Sequence, residues 1–216
     1  MKKKISIIIP IFNEKKNILK LLQEIKRNLK EFKYEVIFVD DNSEDGSIEI
    51  LKKIKFIDKR FDYVLHDGPR DLTQSCFQGI STAKNNLIVI MDGDLQHNPT
   101  YIKPLFYKLV QDKADLVIGS RDFENIKKNS LSFVRLTFSK ILIITLKILS
   151  GKKYLDPMSG FFLFKKKIFT KNKKLFYGKG YKILADFIYN IPNIKVSEII
   201  IKFRSRKKGS SKMSLE

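Results

Sequence analysis

Apolar runs alternate along this chain with segments of helical spacing. Residues 5–11, ISIIIPI, are interrupted only by Ser6 and Pro10, the composition of a strand buried on both faces. Across 17–32 the apolar positions Ile18, Leu21, Leu22, Ile25 and Leu29 fall on one side of a helix. Residues 34–39 read as a second strand that stops at DDNSEDGS, where Asn, Ser, Asp and Gly favour turns and Ser47 can start the next helix. The alternation continues with a short strand at 62–65, a helix at 72–83, a strand at 87–91, a helix at 100–111 and a strand at 115–119. Such a pattern predicts an α/β fold: a doubly wound, mostly parallel sheet with helices on both faces. Its ligands belong in the crevice beyond the carboxyl ends of the strands.

Polar residues stand at those ends: Asn13 and Glu14 after the first strand, Asp40 and Asp41 after the second, Asp92 and Asp94 after the fourth, Ser120 and Arg121 after the fifth. The run NLIVIMDGDLQHNP delivers two carboxylates, one residue apart, to the end of an apolar strand. They repel each other unless a cation joins them. Carboxylate oxygens, with the neutral oxygen of Gln96, suit Mg²⁺ or Mn²⁺; helix capping and loop solvation are the alternative use of such aspartates. His97 lacks neighbours to complete a zinc set, so a structural place beside the aspartates is expected. Beyond Asp122 the pattern loosens. Residues 130–149 form a long apolar helix candidate carrying Arg135, Ser139, Lys140 and Lys147, which either packs on the sheet or lies in a membrane interface. GFFLF, 160–164, is strand-like, and 195–203 reads as another strand.

Composition narrows this picture. At 216 residues and 43% hydrophobic content, the chain can bury one sizeable core. The 43 Lys and Arg outnumber 23 Asp and Glu, for a net charge of +20, which points to an anionic partner: nucleic acid, a phosphorylated ligand or an acidic membrane surface. A single cysteine, Cys76, excludes an internal disulfide framework and fits a reducing compartment. The start MKKKISIIIPIF runs into polar NEKKN without a small-residue cleavage site, and reads as the first strand rather than a signal peptide. No stretch reaches the ~20 apolar residues of a membrane-spanning helix. The absence of G-x-G-x-x-G after the first strand, of a phosphate-loop motif and of G-x-S-x-G argues against dinucleotide binding, P-loop chemistry and a hydrolase triad.

The segments IIIPIFNE, VIFVDDNSEDGS, RDLTQSCFQGI, VIMDGDLQHNP, IGSR, DPMSGFFLF, GYKILADF and FRSRKKGSSKM resemble, in order and spacing, the family 2 glycosyltransferases. Within them the chain is similar to the dolichol-phosphate mannosyltransferase and polyprenyl-phosphate glycosyltransferase branch. The resemblance implies the GT-A fold in one catalytic domain over 1–216, with a nucleotide-sugar half at 1–122 and an acceptor half at 123–216. It implies inverting, metal-dependent transfer of a hexose from a GDP or UDP sugar to a polyprenyl phosphate. Pro10, Phe12 and Glu14 are then expected in the nucleotide pocket with Asp41 facing the base, and Asp92, Asp94 and Gln96 at the metal and diphosphate. Arg121, Arg135 and Ser139 are expected at the acceptor phosphate, and Arg206 and Lys212 at the donor diphosphate. Arg70 is a further candidate facing the sugar or the diphosphate.

A hydroxyl acceptor, on a saccharide or protein, would instead need a base recruited from Asp156 or Asp186. A nucleic-acid-binding module is the rival from another class, and no nucleic acid is expected because aspartates occupy the strand ends where it would sit. A membrane surface is the expected setting, on its cytoplasmic face, with transmembrane helices following residue 216 in some members of the branch.

Overall fold

The computed structural model describes residues 3–122 and 154–204. Seven strands, β1 (Lys4–Ile11), β2 (Lys33–Asp40), β3 (Phe61–Leu65), β4 (Leu87–Ile90), β5 (Leu116–Arg121), β6 (Phe162–Lys165) and β7 (Val196–Ile201), make one sheet in the order β3-β2-β1-β4-β6-β5-β7. The helices among the described residues are α1 (Lys15–Asn28), α2 (Ser47–Ile57), α3 (Leu72–Thr82), α4 (Ile102–Gln111), α5 (Lys166–Asn172) and α6 (Ile183–Asn190). β1 is covered on both sides, as its unbroken apolar run requires. Ile7 and Ile9 face a core shared with Leu21, Leu51 and Leu105 of α1, α2 and α4, while Ile8 faces Ile80, Phe169 and Phe187 of α3, α5 and α6. α3 lies unusually close to the sheet. A Cβ on its Gly79 would come within 2.8 Å of Val39 Cγ2 and closer still to Ile8.

From β1 the chain builds β2 and β3 on one side, then returns through α3 to place β4 on the other. The carboxyl ends of β1 and β4 therefore flank a switch point, where an open α/β sheet forms its crevice.

Several boundaries differ from the pattern reading for identifiable reasons. α1 ends at Asn28, with Leu29 as its cap, although Leu29 and Phe32 are buried. Phe32 packs edge-on against Phe106 at 5.2 Å. Apolar spacing reports burial, so it runs past the helix end. β5 extends through Ser120 and Arg121, paired with Ile200 and Ile201 of β7, so both residues lie within the strand and not beyond it. GFFLF does contribute a strand, but β6 is antiparallel to β4 and β5 and separates them.

Candidate active site

The loops after β1 and β2 lock together. Asn13 adopts a left-handed backbone, φ 53°, which Asn tolerates better than most residues. Its N–H donates to Ser43 Oγ at 2.8 Å, and its Oδ1 accepts from the Glu44 N–H at 2.8 Å. Asp40 accepts the Ser43 N–H at 2.7 Å. Beside this frame Asp41 is buried with its Oδ1 2.8 Å from Nδ1 of His66, the residue after β3. Phe12 lies under the Arg70 guanidinium, 4.2 Å from the ring centroid, so the cation covers part of the aromatic surface. Glu14 turns toward its own helix and accepts from Asn17 Nδ2 at 2.5 Å.

At the end of β4, the two aspartates occupy different settings. Asp94 is buried and accepts the Gln96 N–H at 3.0 Å across a left-handed Leu95, φ 66°. Asp92 keeps 38% of its side chain exposed. Its carboxylate lies against the backbone of Gly160, where a Cβ would meet the two oxygens at 2.7 and 2.8 Å. Below them His97 is buried, stacked on Phe161 at 5.2 Å and edge-on to Phe203 at 5.3 Å. Burial pushes its pKa down to about 4, so the ring is neutral near pH 7 and its Nδ1 accepts the Asp92 N–H at 3.3 Å. His97 thus has the structural place expected of it. Gln96 donates its amide to the Arg204 carbonyl at 3.2 Å, leaving only its amide oxygen as a candidate donor to a cation.

Across the crevice stands a buried ion pair. Asp156, fully buried, accepts from Arg121 Nε at 2.6 Å and Nη2 at 2.9 Å, the bidentate geometry that matches guanidinium to carboxylate. Burial works to lower the Arg121 pKa, but the hydrogen bonds and charge of Asp156, with the charge of Asp92, outweigh it and raise the value. Arg121 therefore stays cationic beside Asp92. The same short segment supplies Ser159, whose hydroxyl donates to the Gly119 carbonyl at 2.7 Å, then Gly160 and Phe161.

Neither of the two carboxylates named as bases for a hydroxyl acceptor is available. Asp156 is held by Arg121, and Asp186 accepts the N–H groups of Tyr177 at 3.0 Å and Gly178 at 2.8 Å and the amide of Asn190 at 2.5 Å. Both are held by these structural hydrogen bonds. A cleft of 630 Å³ opens beside Arg121 toward Tyr181 and Lys182. A small recess over Asp92, Pro10 and Gly160 shares Met158, Tyr181 and Lys182 in its walls.

Residues 6–172 match the profile of glycosyl transferase family 2. The chain belongs to glycosyl transferase family 2. Its relatives include a dolichol-phosphate mannosyltransferase of Pyrococcus furiosus, 31% identical over 97% of this chain and 59% of that protein. Another of the same name, from Saccharomyces cerevisiae, is 30% identical over 97% of this chain and 80% of that protein. The chain thus spans less than two thirds of the Pyrococcus relative. Among solved structures, a glucosyl-3-phosphoglycerate synthase from Mycobacterium tuberculosis in complex with Mn²⁺, uridine diphosphate and glucosyl-3-phosphoglycerate has a TM-score of 0.72 at 15% identity, covering 96% of this chain and 73% of that one. The fold is GT-A, as the sequence motifs imply.

In this family 2 chain, the structure brings Pro10 and Asp92 to one recess and sets Asp94, Gln96 and Arg121 close by. Phe12, Glu14 and Asp41 follow β1 and β2 at the same edge of the sheet, and none of them lines either opening. Arg135, Ser139, Arg206 and Lys212, with the 130–149 helix candidate, lie outside the described residues. Asp92 and Asp94 offer hard carboxylate oxygens, and among the described residues no group of three or more His, Cys, Asp or Glu side chains gathers to hold a metal. Two carboxylates leave most positions of a six-coordinate ion to other oxygens, a donor set that fits Mg²⁺ or Mn²⁺ bound together with a diphosphate. Sequence reasoning missed His66 and Gly160. The first follows a strand end, where the same logic had selected Asp41; the second has no chemistry of its own and is marked only by its place in SGFF.

Proposed function

We propose that this chain transfers a hexose from a GDP or UDP sugar to the phosphate of a polyprenyl lipid, with inversion at the anomeric carbon, on the cytoplasmic face of a membrane. The observation that carries this reading is the locked state of Asp156 and Asp186. A hydroxyl acceptor needs a base to take its proton, and Asp156 and Asp186, the carboxylates named for that task, hold structural hydrogen bonds instead. A phosphate monoester has a second pKa near ~6 and arrives largely as a dianion, so it needs cations and not a base.

In this mechanism Asp92 and Asp94 would hold a divalent ion, which would supply positive charge to offset that of the departing diphosphate. Arg121, fixed in orientation by Asp156, attracts the incoming phosphate and aligns it. A phosphate oxygen bonds to the anomeric carbon as the bond from that carbon to the diphosphate breaks, and the nucleoside diphosphate leaves with the electron pair. Asp41, positioned by His66, and Phe12 receive the nucleoside; the motif resemblance assigns Arg206 and Lys212 to the diphosphate, and Arg135 and Ser139 to the acceptor phosphate.

Gly160→Ala tests the seat of Asp92. The added methyl must displace the carboxylate, and transfer per unit of donor is expected to fall about 10–100-fold, the scale seen when the support of a metal ligand is disturbed. Raising the Mn²⁺ concentration should recover part of the loss, and equal losses at all metal concentrations would contradict this placement.

The direct test incubates the protein with labelled GDP and UDP hexoses, undecaprenyl or dolichyl phosphate, and Mg²⁺ or Mn²⁺. Label should enter the organic-extractable lipid with at least one donor and be absent when EDTA is added. Label that never reaches lipid but appears on an added saccharide would defeat the lipid reading.

A further inference from the structure

Between Asp156 and Asp186 the chain has eight lysines and no acidic residue. Within this stretch KNKKLFYGKGYK, 171–182, begins at the end of α5, makes a 3-10 turn at Lys173–Leu175 and runs into α6. The backbone of this loop is held firmly. Gly178 and Gly180 take left-handed conformations, φ 72° and 85°. Asp186 receives the N–H groups of Tyr177 and Gly178, Asp71 receives that of Gly180 at 2.7 Å, and Thr73 donates to the Gly180 carbonyl through both its N–H, at 3.0 Å, and its hydroxyl, at 2.8 Å. Gln74 donates to the Gly178 carbonyl. Phe176, partly buried, packs against the core, its ring 4.8 Å from that of Phe187.

With so many backbone anchors, the positions from which the outward side chains project are set, and these side chains are not uniformly polar. Tyr177 is 76% exposed, Leu175 48% and Tyr181 43%, among exposed Lys171, Lys173, Lys174, Lys179 and Lys182. Solvation accounts for the lysines but not for a rigid loop that presents two tyrosines and a leucine to water. Tyrosines with an apolar body and a polar tip, next to lysines, match the interface of an anionic bilayer, where rings sit at head-group depth and ammonium groups meet lipid phosphates. The loop also borders the cleft that leads to Arg121.

We infer that the Lys171–Lys182 loop is a membrane-docking surface that seats this chain on anionic lipid and brings the mouth of the Arg121 cleft to the head-group layer. The inference rests on the proposed lipid acceptor, and it assigns that acceptor's route of entry.

The test measures two things separately with the full chain. Sedimentation with vesicles of phosphatidylcholine containing phosphatidylglycerol, without donor or acceptor, reads docking. Transfer to a water-soluble short-chain polyprenyl phosphate reads chemistry. Each lysine near an anionic surface contributes about fivefold in binding, so Lys173→Ser with Lys174→Ser is expected to weaken vesicle binding about thirtyfold. Transfer to the short-chain acceptor should not change, because neither lysine lines the cleft. Leu175→Ser with Tyr177→Ser should weaken the binding that remains at high salt, where lysine contacts are screened.

Wild-type binding by both double variants would overturn the proposal, as would failure of the unmodified chain to bind anionic vesicles. Binding to polyuridylate that the lysine variant loses, without vesicle binding by the unmodified chain, would make the loop a nucleic-acid surface and overturn it too. Loop-dependent docking without any transfer to lipid would instead defeat the acceptor reading alone.

Discussion

Asp94→Ala is expected to lower turnover on the order of 10³-fold, the scale at which one preorganised charge-stabilising contact acts on a transition state. Asp94 is the more buried of the two aspartates, held by the turn that brings the Gln96 N–H to its carboxylate. Removing it withdraws one of the two carboxylates proposed to hold the cation and leaves only Asp92. The loop itself loses one hydrogen bond, a cost of about 1 kcal/mol, so the fold should survive. Asp94→Asn separates the two effects. It keeps an oxygen for the Gln96 N–H but not the charge, and should be nearly as inactive as the alanine variant. Steady-state kinetics over a Mn²⁺ titration, with thermal shifts induced by nucleotide plus metal, would read both. An asparagine variant with wild-type turnover would show that the carboxylate only shapes the loop.

The largest effect on stability is expected from Asp156→Ala. Its carboxylate is fully buried and takes both forks of Arg121, whose side chain is 14% exposed. Removing one partner of such a pair leaves a charge without compensation and costs about 3–5 kcal/mol. For a chain of this length that corresponds to a fall in melting temperature of about 6–20 °C. Adding Arg121→Met to the variant removes the stranded cation and should recover much of the stability, because an apolar pair of similar volume often replaces a buried ion pair without loss. Transfer activity should not return, since the proposed acceptor contact is then absent. From the single to the double variant the melting temperature should thus recover while activity stays low. An unchanged melting temperature in Asp156→Ala would mean that the pair is not the clamp its geometry describes.

Much of the first half was legible along the chain because its signals are local. A β-branched run such as ISIIIPI reads as a doubly buried strand wherever it occurs, and DDNSEDGS breaks a strand through its own turn preferences. Those two facts, repeated, yield alternating elements, and a parallel sheet follows from the alternation. The placing of Asp41, Asp92 and Asp94 at one edge follows in turn. The motif resemblance added roles to these positions, and the family match agrees with it.

Residues 154–165 show where this reading ends. The segment GFFLF announces a strand but not its partners, because insertion antiparallel between β4 and β5 depends on backbone hydrogen bonds to chain many residues away. In the sequence Asp156 is only a carboxylate that a hydroxyl acceptor would have to recruit as a base; its bidentate pairing with Arg121 and its complete burial make it a clamp. Gly160 matters only because Asp92 lies against it. By itself the sequence determined which segments are strands and helices and which charges reach the sheet's carboxyl edge, since hydrophobic period and turn chemistry act between near neighbours. Only the tertiary structure decided which carboxylates are held by partners and which face the crevice, because burial and pairing are set by groups distant in the chain.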